Sequence, residues 1–169
     1  MRPQDIVVLL KIISKGDRSW QNKDLAYELS LSPSEISESL NRSNIAGLIN
    51  SESKNVHRQS LLEFIQYGLH YVFPVTPGGP SKGTPTAHSH PILRNQFQSG
   101  EIYVWPDIEG NEYGLSIAPL YKDVVKTIRN DDTLYTLLAM ADVLRVGRVR
   151  ETGYAITVLK QMILNERPH

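Results

Sequence analysis

The chain has 169 residues, 40% of them hydrophobic and 21% charged, which suits one globular domain or a domain with a small extension. Its 18 basic and 18 acidic residues cancel, which excludes a strongly basic nucleic-acid coat and an acidic tail. The absence of cysteine excludes disulfides, thiolate zinc sites and cysteine catalysis. We expect a cytoplasmic protein without a membrane partner, because the sequence shows no signal run and no long apolar stretch.

Residues 1–70 are predicted to form one helical domain. Apolar side chains at helical spacing predict helices over 3–15, 21–29, 33–46 and 56–67. Three short helices with a tight turn between the second and third describe a helix-turn-helix.

Three apolar residues satisfy the packing that a helix-turn-helix requires. Ala26 is the small residue expected in the second helix where the third helix crosses it, and Leu31 is the apolar plug of the turn. Ile36 follows ten positions after Ala26 and is expected to fix the third helix. The spacing therefore predicts a specific crossing of the second and third helices.

The start of the third helix is the sharpest local signal in the chain. Ser32, Pro33 and Glu35 form a capping box with proline at the first helical position. We expect the Ser32 hydroxyl to accept from a free backbone amide at the helix start, and the Glu35 carboxylate to reach back to Ser32.

Residues 25–42, followed by the AGLI run at 46–49, resemble bacterial winged-helix transcriptional regulators of the MarR-like kind. The resemblance implies a DNA-binding transcriptional regulator whose third helix lies in the major groove of double-stranded DNA. We expect such a regulator to be a homodimer, because operators are usually two-fold. The resemblance assigns the exposed base-reading positions to Ser34, Ser37, Glu38, Asn41 and Arg42. It assigns Ser32 to the position that meets a phosphate.

The sequence departs from this family in its wing and in its charge. A wing needs a second strand after residues 48–49, whereas residues 50–55 lead straight into a predicted helix, so we expect an absent or rudimentary wing. Lys54, His57 and Arg58 lie there and are candidates for contacts with the DNA backbone. Glu38 can accept from cytosine but otherwise repels phosphate.

The middle of the chain is predicted to be a small β region rich in proline and glycine. Residues 74–119 hold seven of the ten prolines, which restricts the predicted strands at 71–75, 102–105 and 113–117 to edges and ordered loops. We expect residues 71–118 to be a rigid, non-catalytic platform for a protein partner or a small effector. The alternative is that this segment only holds the two helical parts together.

Two histidines in this segment suggest an alternative that we do not favour. His88 and His90, two residues apart, would point to one side of a strand and could chelate a metal with Glu101 or Asp107, but no motif fixes such a set. Loop histidines that hydrogen-bond the backbone explain the pair better. Because no complete catalytic or ligand set is present, we expect no metal, no cofactor and no enzymatic activity.

The C-terminal part is predicted to be helical, with helices over 120–129, 133–146 and 149–164. Five charged residues surround the break between the last two helices: Asp142, Arg145, Arg148, Arg150 and Glu151. We expect them to form ion pairs that link these two helices, in other words a latch, or else a basic rim that contacts DNA or a partner.

Apolar residues that lie off the main helical stripes predict a dimer interface. They are Val7, Val8, Leu138, Met140, Val143, Val146 and Val158.

Together these patterns predict an α-rich α+β protein. Its parts are a winged-helix-like domain at 1–70 and, at 71–169, a β platform with a C-terminal helical hairpin. The favoured function is a sequence-specific DNA-binding regulator. The alternative is an antitoxin-like interaction protein whose middle and C-terminal parts hold a partner protein. A positive surface formed by Arg42, Lys54 and Arg58 beside the third helix would favour DNA.

Overall fold

The chain begins with three helices that form the predicted helix-turn-helix. The computed structural model describes residues 1–98 and 100–165. Helix α1 spans Pro3–Lys15, α2 spans Asn22–Leu29 and α3 spans Pro33–Ile45, which matches the predicted bounds to within one residue. Helix α3 packs against α1 and α2.

A short β-hairpin follows α3. Strand β1 (Ile49–Asn50) pairs antiparallel with β2 (Asn55–Val56), and helix α4 (Arg58–Tyr67) begins directly afterwards. The prediction that residues 50–55 lead straight into a helix is therefore wrong, whereas the rudimentary wing is confirmed. Because Val56 belongs to β2, α4 begins two residues later than predicted.

The turn of this hairpin is closed by a side chain. The Asn50 Oδ1 atom accepts hydrogen bonds from the amides of Glu52 and Ser53, both at 3.1 Å. Lys54 adopts a left-handed conformation with φ of +59°. Asparagine mimics a backbone turn in this way, which allows two-residue strands to pair.

The predicted strand at 71–75 is wrong. Helix α5 (Leu69–Val72) occupies that position, and its backbone bonds are local, for example from the Phe73 amide to the Leu69 carbonyl at 2.9 Å. Leu69 is fully buried, whereas Tyr71 is 81% exposed. Anchoring of Leu69 in the core holds the segment as a helical turn, which the run of β-favouring residues does not reveal.

Three strands in the middle of the chain close on one another. Strand β3 (Pro80–Pro85) pairs antiparallel with β4 (Tyr103–Pro106) through its last residues and with β5 (Glu112–Ser116) through its first residues. Strands β4 and β5 pair in parallel, which completes a small barrel. Strands β4 and β5 confirm two of the predicted strands, whereas β3 was not predicted.

Glycines allow the close approach of these strands. A Cβ atom at Gly83 would lie 2.0 Å from the Trp105 carbonyl oxygen, and one at Gly114 would lie 2.4 Å from the Ile102 carbonyl oxygen. No side chain fits at such distances, so the barrel depends on glycine at both positions.

Short helical turns link the barrel to its surroundings. A 3₁₀ turn at Ala87–Ser89 and helix α6 (Pro91–Arg94) follow β3, and helix α7 (Val124–Thr127) follows β5. The predicted helix over 120–129 is therefore too long. Leu120 and Tyr121 are buried in the preceding turn instead of in a helix.

Two long helices close the described chain as the predicted hairpin. Helix α8 spans Asp132–Val146 and helix α9 spans Val149–Ile163. The Asp131 side chain accepts from the Leu134 amide at 2.9 Å and caps α8, and Gly147 ends that helix with φ of +79°. Helix α8 is buried at most positions and contacts α1, α5 and α9.

The two halves of the chain share one cluster of buried side chains, which runs from α1 through α8 to α9. Helices account for 54% of the structure and strands for 12%, so the protein is α-rich α+β, as predicted. Within the described ranges, no helix has the length and apolar character needed to cross a bilayer.

One buried hydroxyl in α3 lacks a partner. Among the described residues the Ser43 Oγ atom is buried and makes no hydrogen bond. An unpaired buried polar group costs about 1–3 kcal/mol, so we expect Ser43→Ala to stabilise the protein by about 1 kcal/mol. Thermal unfolding followed by circular dichroism measures this effect. A melting temperature below that of the parent chain would contradict it, and the exposed Ser60→Ala is the matched control.

Candidate nucleic-acid interface

The helix-turn-helix has the predicted packing. Ala26 and Ile36 are buried, and Leu31 is partly buried against the core in the turn. The turn is held by the hydrogen bond from the Leu31 amide to the Ala26 carbonyl at 2.9 Å, and Ser30 adopts a left-handed conformation with φ of +54°. These contacts fix the angle at which α3 leaves the turn.

The capping box at the start of α3 is confirmed. The Glu35 amide donates to the Ser32 hydroxyl at 3.1 Å, and the Ser32 amide donates to the Glu35 carboxylate at 2.8 Å. The hydrogen bond from the Ser32 amide is the largest cause of the lowered pKa of Glu35. Because the Glu35 carboxylate already accepts from this amide, a phosphate at Ser32 would have to compete with it.

The outer face of α3 is open and polar. The side chains of Ser34, Ser37 and Asn41 are exposed and make no hydrogen bond within the described part of the chain. Glu38 is exposed on the same face, 3.9 Å from the Arg42 guanidinium. Hydroxyl and amide groups of this kind can reach base edges in a groove.

Arg42, which the resemblance assigned to base reading, is paired with a buried carboxylate of α1. Its Nε and Nη2 atoms donate to the two carboxylate oxygens of Asp5 at 2.9 and 2.8 Å. Asp5 is fully buried in α1 and also accepts from the Ser39 hydroxyl at 2.7 Å. This bidentate ion pair links α3 to α1, and only 22% of the Arg42 side chain is exposed.

The pKa of Asp5 reflects the same contacts. Burial raises it, but the hydrogen bonds from Arg42, the Arg2 amide and Ser39 outweigh burial, so the pKa lies below its ordinary value. Asp5 is therefore ionised at neutral pH, and the Arg42 cation neutralises it inside the fold.

The two other cations predicted to contact DNA are also engaged within the chain. The Lys54 ammonium donates to the Trp20 carbonyl at 2.9 Å and lies 4.9 Å from the centre of the Trp20 ring. The Arg58 guanidinium donates to the Ile163 carbonyl at 2.7 Å, near the end of α9. Of the three residues expected to form a positive surface, only Arg42 is paired with a carboxylate, whereas Lys54 and Arg58 donate to neutral carbonyls and keep their charge.

A cleft beside the start of α3 contains two cations that the sequence patterns did not single out. It has a volume of about 390 Å³ and is lined by Arg2, Ser30, Glu35, Tyr121 and Lys122, among others. The Tyr121 hydroxyl donates to the Ser30 carbonyl at 3.0 Å and so joins this part of the chain to the turn. No local pattern could place Lys122 here, because it lies far along the chain from α3.

The two histidines of the middle segment are held by structural contacts. The His88 Nε2 atom lies 2.6 Å from the Glu101 carbonyl oxygen, and the His90 Nδ1 atom accepts from the Ile92 amide at 3.1 Å. Burial lowers the pKa of both imidazoles, that of His90 to about 4. In the described ranges no group of three or more metal-binding side chains forms.

The predicted latch between the last two helices is wrong. Asp142 and Arg145 pair within α8 at 2.8 Å, and both side chains are buried. Arg148 turns towards the middle segment, where it lies 3.7 Å from the Glu101 carboxylate and over the Tyr103 ring. Among the described residues these charges join α8 and the start of α9 to the middle segment, and no ion pair links the two helices.

The apolar residues offered as a dimer interface are used inside the chain. All but one are buried: Val7, Val8, Leu138, Met140, Val143 and Val158, whereas Val146 is partly buried against the core. Helices α1 and α8 are covered on nearly every side, which a single helical stripe does not reveal. The homodimer therefore loses this support and stays a prediction.

Comparisons with protein-family models, with curated proteins and with solved structures returned no match to this chain.

Proposed function

We propose that the protein is a DNA-binding transcriptional regulator that inserts α3 into the major groove. The supporting observation is the open polar face of α3, formed by Ser34, Ser37 and Asn41. It stands on a helix-turn-helix whose helix crossing is fixed by buried contacts. Such a face is what base reading requires, because its side chains have unused hydrogen-bonding groups.

The face of α3 carries little net positive charge, which affects how strongly it is attracted to DNA of any sequence. Glu35 and Glu38 lie on α3, and Arg42 is neutralised by Asp5. Non-specific attraction to DNA depends on phosphate contacts from lysine and arginine. We therefore expect weak non-specific binding, with sequence recognition carrying a large share of the affinity. A role of this kind belongs in the cytoplasm and suits a homodimer on a two-fold site.

The proposal is tested by altering the face of α3. Ser34→Ala, Ser37→Ala and Asn41→Ala together leave the described hydrogen bonds of the fold intact, so folding should be preserved. A duplex is first selected from a random library by the parent chain, and binding is measured by fluorescence anisotropy. We expect the triple variant to lose at least about tenfold in affinity, since one base contact contributes about 1–3 kcal/mol.

A matched control variant carries Ser60→Ala and Gln161→Ala, two exposed polar changes on α4 and α9. It should bind the selected duplex like the parent chain. Failure of the parent chain to select any duplex, or equal binding by the triple variant, would refute DNA recognition through α3.

A second candidate function is protein interaction, of the antitoxin-like kind. The observation that favours it is the surface around α3, which combines acidic and apolar side chains. Glu35 and Glu38 are exposed there, and Tyr27 and Ile45 are 88% and 78% exposed. A partner could also use the platform at 71–118, where Tyr113 is 67% exposed. Co-expression with the product of a neighbouring gene, followed by size-exclusion chromatography, separates this function from DNA binding. The prediction of no enzymatic activity stays a prediction.

A further inference from the structure

We propose that Arg2 and Lys122 contact the phosphate backbone of the DNA strand that borders α3. This inference rests on the proposed function and extends it. The binding surface would then include Lys122, which follows the barrel in the chain and lies well outside the helix-turn-helix. A fragment of residues 1–70 would keep Arg2 but lack the contact from Lys122.

The two cations meet at one cleft. Arg2 directly precedes α1 and Lys122 lies between β5 and α7, and both line the cleft of about 390 Å³ that also contains Glu35 at the start of α3. Both side chains are exposed. Within the described ranges neither lies at ion-pair distance from a carboxylate, although both attract the Glu35 carboxylate and Lys122 also attracts that of Asp123.

The position of Lys122 is fixed by its neighbour. Tyr121 is only 6% exposed, and its hydroxyl oxygen lies 3.0 Å from the Ser30 carbonyl in the turn before α3 and 3.0 Å from the Asp123 carboxylate, so these two acceptors share its single proton. The backbone that carries Lys122 is therefore anchored to the turn that orients α3. A strand lying along the start of α3 would pass this cleft.

The charge balance of α3 explains why these cations matter. Arg42, Lys54 and Arg58 are engaged in contacts within the protein, whereas the Glu35 carboxylate is exposed at the cleft. Arg2 and Lys122 provide two positive charges beside the Glu35 carboxylate, and the nearby Asp123 carboxylate also pairs with Lys126. Arg2 and Lys122 are thus placed to offset the repulsion between Glu35 and a passing phosphate.

The test is the salt dependence of DNA binding by the full chain. Each phosphate contact contributes about 0.9 to the slope of log affinity against log salt concentration. We expect Lys122→Gln and Arg2→Gln each to reduce the magnitude of that slope by about 0.9 relative to the parent chain. Affinity for the selected duplex and for an unrelated duplex should fall by the same factor.

Lys160→Gln is the matched control, because Lys160 is exposed on α9 and does not line the cleft. It should leave the slope unchanged, and the melting temperature of each variant verifies folding. If Lys122→Gln and Arg2→Gln behave like Lys160→Gln while the α3 triple variant loses sequence preference, this inference fails and the proposed function stands. If the parent chain binds no duplex, both fail.

Discussion

Replacing Arg42 with alanine is expected to lower the free energy of unfolding by about 3–5 kcal/mol, because the Asp5 carboxylate would be left buried without its cation. This loss is one of stability and not of base reading. Chemical denaturation at neutral pH measures it. A variant that unfolds like the parent chain but loses DNA binding would restore Arg42 as a recognition residue.

Two further measurements assign the effect to the ion pair. Asp5→Ala with Arg42→Ala should cost less than the sum of the single variants, because no unpaired charge remains. The difference between parent and Arg42→Ala should also shrink on acidification. Since the pKa of Asp5 is lowered in the fold, its stabilising contribution is present above about pH 4 and is lost as the pH falls further. If the difference in free energy of unfolding between the parent chain and Arg42→Ala stayed constant with pH, the ion pair would not be its cause.

Replacing Asp142 with alanine is expected to have an effect of similar size, about 3–5 kcal/mol. Its carboxylate accepts from the Trp105 indole at 2.7 Å, from the Thr86 hydroxyl at 2.8 Å and from the Arg145 guanidinium at 2.8 Å. Burial raises the pKa of Asp142, while these three donors favour its ionised form. Removal of the carboxylate leaves three buried donors without their acceptor.

The consequence of Asp142→Ala should spread beyond α8. Arg145 also donates to the carbonyls of Phe73 and Ala118, at 2.9 and 3.0 Å, so the pair links α8 to the segments that precede β3 and follow β5. We expect the near-ultraviolet signal of Trp105 to change together with stability. The exposed Asp17→Ala is the control and should stay within about 0.5 kcal/mol of the parent chain. If Asp142→Ala and Asp17→Ala lowered the free energy of unfolding equally, the stabilising role of the Asp142 carboxylate would be refuted.

The helical parts of the fold could be predicted because their signals are local. The capping box at Ser32 and Glu35, the helix end at Gly147 and the apolar stripes of α1 and α8 all act within a few residues. The crossing of α2 and α3 followed from Ala26 and Ile36, which meet a geometric requirement of the motif. Exposure of Ser34, Ser37 and Asn41 was implied by the resemblance to winged-helix regulators.

The roles of the cations could not be predicted, because their partners lie far along the chain. Arg42 pairs with Asp5 in another helix, and Arg58 donates to a carbonyl near the C-terminal end. Periodicity places such side chains on a face of a helix, but it does not show what that face meets. Lys122 enters the candidate interface only through the packing of Tyr121 against the turn.

The barrel was only partly predicted for a different reason. Strand β3 begins and ends with proline, which normally argues against a strand inside a sheet. Here Pro80 and Pro85 are the two end residues of β3, and the change of partner from β5 to β4 takes place at Gly83, which pairs with both strands. Contacts between distant strands, not the local pattern, determine this arrangement.

Closure of the barrel also limits how a protein partner could bind the middle segment. Each of its three strands pairs with the other two, so the barrel offers no continuous free edge to which an incoming peptide could add as a further strand. A partner of residues 71–118 would have to recognise side chains and loop surfaces, such as the exposed Tyr113 and Ile108. Its specificity would then depend on shape and side-chain chemistry instead of main-chain hydrogen bonding.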